Sequence, residues 1–331
     1  MQLLSPKHTF AAAFGGVLAL ISLSAVGTSF PLPKDGDTVV GETQTVTARY
    51  EDTLSDIGRR FSIGYEEIVS ANPGVDPWLP GKGTRVRIPS QYVLPDVPHE
   101  GIVVNLPEHR LYYFPKPKLG EPAVVLTYPV SIGKMDWKTP IGLTSIVDKI
   151  VRPAWYPPES VRLEHEADGR PLPKVVPPGP DNPLGEYAMR LGIPGGSYLI
   201  HGTNRPVAVG MPVTHGCIRM FPEDIEQFFK IVPTHTPVRI INQTSKAGWR
   251  DGVLFIEVHP PMEGNNDPEA ESLTSVTRAV VAATRERSAH IDWARAEAIF
   301  KQASGVPEPM TEDASPAEAG LAQQRTAAVR K

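Results

Sequence analysis

The chain has 331 residues, 40% of them hydrophobic, and a formal net charge of −4. That is apolar material for a real core and more than one domain, and the acidic balance argues against a nucleic-acid partner. A single cysteine excludes an internal disulfide, and the 36 prolines alternate with aromatic and strand-like runs, which predicts long ordered loops more than disorder.

Residues 1–29 read as a secretory signal. Lys7 and His8 give a weakly basic start, residues 10–26 form an uncharged apolar run, and small residues follow at Ala25, Gly27 and Ser29. An uncleaved membrane anchor is the alternative; the run is short for a span and the small residues favour cleavage. No cysteine lies near that region, so it is not a lipoprotein signal. An odd cysteine in an exported chain means intermolecular pairing or a reactive thiol, and nearby histidines favour the thiol.

Residues 44–90 read as a small βααβ unit. A strand is expected over residues 45–49. Thr53-Leu54-Ser55-Asp56 resembles a capping box opening a helix through Phe61. A second helix over residues 65–71 ends at Asn72-Pro73-Gly74, and a strand over residues 84–88 stops at Pro89. DTLSDIGRRFSIGYEEIVSANPGVDPWLPGKGTRVRIP resembles a LysM module, which implies binding to glycans containing N-acetylglucosamine, such as peptidoglycan. The preceding TARYED lacks that family's usual lead, and a docking domain that binds no sugar is the alternative.

From Gly101 the pattern turns to β. GIVVNL, RLYYF, AVVLTYPVSIG, TSIVDKIV, YLIHGT, PVRIIN and LFIEVH are short β-branched or aromatic runs between Gly, Pro and Lys turns. One main helix is expected from Pro222, with Glu223 and Asp224 in its first turn and Ile225, Phe228 and Phe229 on its apolar face. The expected fold is mainly β: a sandwich or barrel-like domain at residues 99–243, preceded by the βααβ unit. A partly helical extension follows at residues 244–304, where Leu273, Val276 and Val280, then Trp293, Ala296 and Phe300, have helical spacing. Residues 305–331 read as a disordered tail. The proline-rich stretch at residues 153–194 reads as an irregular lid or binding loop, with Trp155 and Tyr156 as candidates to line a cleft or simply to pack the loop.

HGTNRPVAVGMPVTHGCIRM, residues 201–220, carries the chemistry. Cys217 is a strong nucleophile when an imidazole can take its proton. Gly216 allows a sharp turn that points successive N–H groups at one spot, an oxyanion hole for acyl transfer. In an extended segment Arg219 shares a face with Cys217, to lower the thiol pKa or hold a substrate carboxylate. His201 ends an apolar strand as the candidate base. No Asp or Glu lies between His201 and Arg219, so a backbone carbonyl, most simply that of Gly202, must orient it. A metal site from His201, His215 and Cys217 is the alternative, but the spacing is no usual zinc pattern and a fourth ligand is missing. No metal or cofactor is expected.

The segment resembles the signature of the L,D-transpeptidase (YkuD-type) catalytic domain, met by His201, Thr214, His215, Gly216, Cys217, Ile218 and Arg219. ANPGVDPWLP, LPDVPHEGIVVNLPEHRLYYFP and VVPPGPDNPLGEYAMRL further resemble enterobacterial enzymes that join peptidoglycan to the outer-membrane (Braun) lipoprotein. The resemblance implies a periplasmic, wall-associated enzyme. Cys217 attacks the meso-diaminopimelate carbonyl of a tetrapeptide stem and D-alanine leaves. His201, oriented by the Gly202 carbonyl, is the base; His215, Gly216 and Cys217 N–H groups hold the oxyanion. Arg219, Thr214, Trp155 and Tyr156 are the candidates for binding substrate. The acceptor is the lipoprotein's C-terminal lysine; 3-3 crosslinking, D-amino-acid exchange and hydrolysis are alternatives, as is a non-catalytic wall-binding protein. A papain-like peptidase is disfavoured because there the cysteine precedes its histidine.

Overall fold

The computed structural model describes residues 27–310, apart from 135–136, 196–197 and 265–266. Residues 1–26 of the expected leader (1–29) and residues 311–331 of the expected tail (305–331) lie outside the described residues; Thr28 and Ser29, expected within the leader, instead belong to the first strand of the sheet. The chain is mainly β, built on one curled nine-stranded sheet. Its strands run in the order Thr28–Pro31, Val124–Pro129, Arg110–Phe114, Gly101–Asn105, Pro237–Ile241, Gly142–Val151, Tyr187–Leu191, Leu199–His201 and Ile218–Arg219. Two of these neighbours pair in parallel: Pro237–Ile241 with Gly101–Asn105, and Leu199–His201 with Ile218–Arg219.

The curl originates in the ten-residue strand Gly142–Val151. Its first half pairs with Pro237–Ile241 and its second with Tyr187–Leu191, with an irregularity between Ile146 and Asp148. A bulge bends its strand and increases the local twist, so the last strands fold back over the first. Helix Pro222–Ile231 fills the concave side, with Ile225 and Phe228 among Ile102, Val104, Leu111, Tyr128, Ile200 and Ile218. The central strands Gly101–Asn105 and Arg110–Phe114 are buried throughout. Their alternate side chains, Val103, Tyr112 and Phe114, enter a second core with Leu54, Ile57, Ile63, Ile68, Val86 and Ile88 of the N-terminal unit.

That unit consists of Gln44–Thr47, Leu54–Arg60, Tyr65–Ser70 and Arg85–Ile88. The Thr53–Asp56 capping box forms in both directions, at 3.0 and 3.1 Å. The unit is fastened to the sheet by a buried ion pair, Arg110 Nε donating to Glu67 Oε1 at 2.7 Å, and by Arg59 with Glu223 at 2.7 Å.

Two further expectations are corrected. The proline-rich stretch is not wholly irregular: Glu159–Ala167 is a helix. Pro157 and Pro158 punctuate its start, and only Val161 of it is buried, so no apolar stripe announces it. Residues 305–310 are not part of a disordered tail. Glu308–Pro309 adds a strand to the hairpin Ser245–Arg250 and Val253–Val258. Val306 and Met310 are buried. Helices Leu273–Ala283 and Trp293–Gln302 pack on this small sheet as a third core around Trp249, Leu254 and Ile256.

Candidate active site

Two short parallel strands place the site: the imidazole ends Leu199–His201, and the thiol immediately precedes Ile218–Arg219. Ile200 lies beside Ile218 and His201 beside Arg219. Side chains alternate across a strand, and Ile200, Ile218 and Met220 are fully buried in the core. His201 and Arg219 therefore turn to the opposite face, and Cys217, two residues before Arg219, starts on that face too.

His201 is buried, with Nδ1 2.6 Å from the Gly202 carbonyl oxygen. A carbonyl only accepts, so the proton sits on Nδ1 and Nε2 is left as the acceptor. Burial first, and the Arg219 charge second, hold this imidazole down to about 3, against backbone hydrogen bonds at Gly202 and Leu184. It is neutral at neutral pH. Cys217 is half-buried. Burial pushes its thiol above the ordinary value, while a backbone hydrogen bond at Leu199 and the Arg219 charge pull it back. The resting pair is thus a neutral thiol and a neutral imidazole. Burial lowers the Arg219 pKa; Cys217 opposes this shift and the Arg205 charge adds to it. Among the described residues the Arg219 Nε has no hydrogen-bond partner.

The turn before Cys217 is braced from several sides. Thr214 Oγ1 donates to the Cys217 carbonyl at 2.5 Å. Gly216 adopts φ +95°, and a Cβ there would lie 2.9 Å from the Tyr198 ring, so both conformation and space demand glycine. Thr139 Oγ1 donates to the Gly216 carbonyl at 3.0 Å and accepts from Gly133 N–H at 3.1 Å. His215 Nε2 lies 2.8 Å from Glu164 Oε2, and Lys134 Nζ donates to the other Glu164 oxygen at 2.5 Å. Lys134 first and His215 second hold the Glu164 carboxyl down to about 2. Trp137 meets the His215 ring edge-on, centroids 5.2 Å apart.

A cysteine and a histidine that both feel the Arg219 charge, beside this turn, are the kinds of group that acyl transfer uses. The L,D-transpeptidase catalytic domain family, YkuD, matches residues 99–240. Probable L,D-transpeptidase YbiS of Escherichia coli (strain K12) is 39% identical over 306 residues, 91% of this chain and 97% of the relative. This chain belongs to the L,D-transpeptidase family. Two further Escherichia coli (strain K12) relatives are Probable L,D-transpeptidase YcfS, 40% identical over 269 residues (80% of this chain, 81% of the relative), and Probable L,D-transpeptidase ErfK/SrfK, 37% identical over 296 residues (88% and 93%).

In this L,D-transpeptidase the structure brings His201, Gly202, His215, Gly216, Cys217 and Arg219 together. Thr214 is buried and closes the turn, so its hydroxyl positions Cys217. Trp155 bridges Val176 through both backbone groups, at 2.9 and 2.8 Å. Its segment is tied toward the site by buried Asn182, whose side chain donates to the Pro153 carbonyl at 2.9 Å and accepts from Leu184 N–H at 2.9 Å. Tyr156 is 69% exposed.

Sequence reading missed Glu164, Thr139, Asn182 and Arg205. A search for an acid between His201 and Arg219 could not find Glu164, which is 51 residues from His215 and on the unexpected helix. Asn182, before Pro183, had a readable signal, since asparagine in that position makes local turn bonds. Among the described residues His201, His215 and Cys217 do not form a ligand group. The cluster that does is buried Glu108, Glu257 and His259, outside the catalytic turn. Lys246 Nζ already lies 2.9 Å from Glu108 and 2.7 Å from Glu257, so the cation there is the lysine.

Proposed function

We propose that this enzyme is an exported, periplasmic L,D-transpeptidase that anchors a lipoprotein to peptidoglycan. Cys217 Sγ attacks the meso-diaminopimelate carbonyl of a tetrapeptide stem as its proton passes to His201 Nε2. The carbon–nitrogen bond to D-alanine breaks and its amine takes that proton. An acceptor amine, the C-terminal lysine of an outer-membrane lipoprotein, then attacks the thioester, gives a proton to His201 and restores the thiol through it.

The observation that carries this reading is the pinned imidazole: Nδ1–H held on the Gly202 carbonyl at 2.6 Å, on the face that bears Cys217 and Arg219. A base with a fixed tautomer need not reorganise as it accepts the thiol proton. Backbone N–H groups of His215, Gly216 and Cys217 hold the oxyanion, a role favoured by the left-handed Gly216. Arg219 brings a positive charge to the thiol and Arg205 a second one to Arg219, which suits a peptide rich in carboxylates. The βααβ unit at residues 44–90, with its LysM resemblance, is the support for glycan binding, and the apolar run ending in small residues before Thr28 is the support for export.

The test offers the purified enzyme a disaccharide tetrapeptide with and without a peptide ending in lysine, and reads products by mass spectrometry. The expected product is the lysine-linked conjugate with loss of D-alanine. A diaminopimelate dimer, or simple loss of D-alanine, assigns the same site a different acceptor.

A further inference from the structure

Asp224 is a buried carboxylate that the catalytic face does not use. It lies in the first turn of helix Pro222–Ile231 and is fully buried. Among the described residues no side chain hydrogen-bonds to either of its oxygens, the Gly27 N–H being the one backbone group that does, and the nearby buried Tyr128 hydroxyl has no partner. The neighbouring cations are committed elsewhere: Arg59 to Glu223 and Arg110 to Glu67. Burial first, then the Glu223 charge, push the Asp224 carboxyl up to about 8, opposed by Arg110, Gly27 and Arg59. A buried acid served by a single backbone N–H, with an idle hydroxyl beside it, has the donor requirement of a cation.

The chain already delivers a nitrogen there. Strand Thr28–Pro31 pairs antiparallel with Val124–Pro129, Thr28 opposite Thr127, which brings Gly27 against Tyr128. A Cβ at position 27 would lie 2.0 Å from the Tyr128 ring, so only glycine fits. The Gly27 N–H is the backbone group that bears on the Asp224 carboxylate. Gly27 is also one of the small residues, with Ala25 and Ser29, that close the apolar leader.

We propose that Asp224, with the Tyr128 hydroxyl, is the seat of the α-ammonium created when the leader is removed at Gly27 or Thr28. The inference rests on the export reading. Cleavage before Gly27 charges the nitrogen already present. Cleavage after it places the ammonium one residue step away, about 3.8 Å, beside the space that Gly27 leaves. The ammonium brings three donors to two carboxylate oxygens and one hydroxyl oxygen, and its charge ionises the acid. In the unprocessed chain an amide stands there and Asp224 stays a neutral buried acid. Leader removal thereby locks the first strand of the sheet onto the helix that follows the catalytic strand Ile218–Arg219.

The sign follows from the pairing. An α-amine held by a carboxylate has a raised pKa, so its contribution to stability is complete below the unfolded value of about 7.7–8.0 and is lost as pH rises through the folded value. The test uses the full exported chain. Mass spectrometry of its N-terminal peptide locates the start, and the pH dependence of α-amine acylation by a small reagent is compared in the native chain and in Asp224→Asn. The expected results are a start at Gly27 or Thr28 and an α-amine titrating at least about one unit above the ordinary range, so acylated roughly fivefold more slowly at pH 8. Asp224→Asn should restore ordinary reactivity. A processed native chain whose α-amine titrates in the ordinary range overturns the inference and leaves export intact, whether or not the variant folds. A start beyond Thr28 overturns it equally. Retention of residues 1–26 overturns the cleaved-leader reading and this inference together.

Discussion

At the residue scale, burial is the largest influence on the thiol and on the imidazole, and Arg219 is the charge that acts on both. Its charge pulls the Cys217 pKa down and the His201 pKa down. Arg219→Ala should therefore raise both, and the rate of Cys217 alkylation by iodoacetamide, followed against pH, should move its rise to higher pH. An unmoved profile would mean that the guanidinium does not act on the thiol. Glu164→Gln keeps the shape and removes the charge that His215 and Lys134 share. Its side chain is 39% exposed, and exposed pairs add little stability, so Tm should hold while kcat falls roughly tenfold, the range of a disturbed positioning contact. An equal loss of Tm and activity would reduce Glu164 to a structural role. Cys217, His201 and Arg219 were legible because twenty consecutive residues contain them. Glu164 and Thr139 were not, because each reaches the turn from a distant segment through tertiary contact, and nothing local marks a glutamate or threonine for that purpose.

At the element scale, the N-terminal unit is held by local chemistry that the sequence exposes. Asp52 is buried and accepts from Arg60 at 2.6 and 2.9 Å and from the Arg49 N–H at 2.8 Å. The Arg60 hydrogen bond is the largest influence on its carboxyl, which falls from the ordinary 3.8 to about 2. The folded value is depressed, so this contribution is complete above pH 3.8 and is lost as pH falls through about 2. Asp52→Asn should cost about 2 kcal/mol at pH 7 and much less at pH 2, as read by urea denaturation at the two values. A cost unchanged at pH 2 would contradict the pairing. Helices with a capping box or a proline at the first position and an apolar face were legible in this way, Leu54–Arg60 and Pro222–Ile231 among them. Glu159–Ala167 was not, because only Val161 is buried and its partners are charged groups elsewhere in the chain. Strand order was also illegible: the curl depends on the irregular register at Ile146 and Asp148, which no local pattern encodes.

At the scale of the whole molecule, three cores share one framework. The sequence suggested a separable N-terminal module, but Val103, Tyr112, Phe114 and Val125 on the back of the sheet are buried against it. Deleting residues 44–90 should expose them and yield insoluble or aggregating protein; a soluble, cooperatively folding deletion chain would contradict a shared core. The C-terminal hairpin is joined to the same framework by Lys246, which reaches Glu108, Glu257 and the Val93 carbonyl. Lys246→Ala leaves two buried carboxylates without their cation and should cost about 3–5 kcal/mol, measured by denaturant unfolding. A neutral result would show that water or His259 replaces the lysine.

The central claim is that Cys217 carries the acyl group. Intact-mass measurement of the enzyme mixed with tetrapeptide substrate, without acceptor and quenched in acid, tests it most directly. The claim predicts a mass increase equal to the substrate minus D-alanine, located on Cys217, absent in Cys217→Ala and reversed by an added amine. Unmodified Cys217 under turnover, or full transpeptidation by Cys217→Ala, would contradict it.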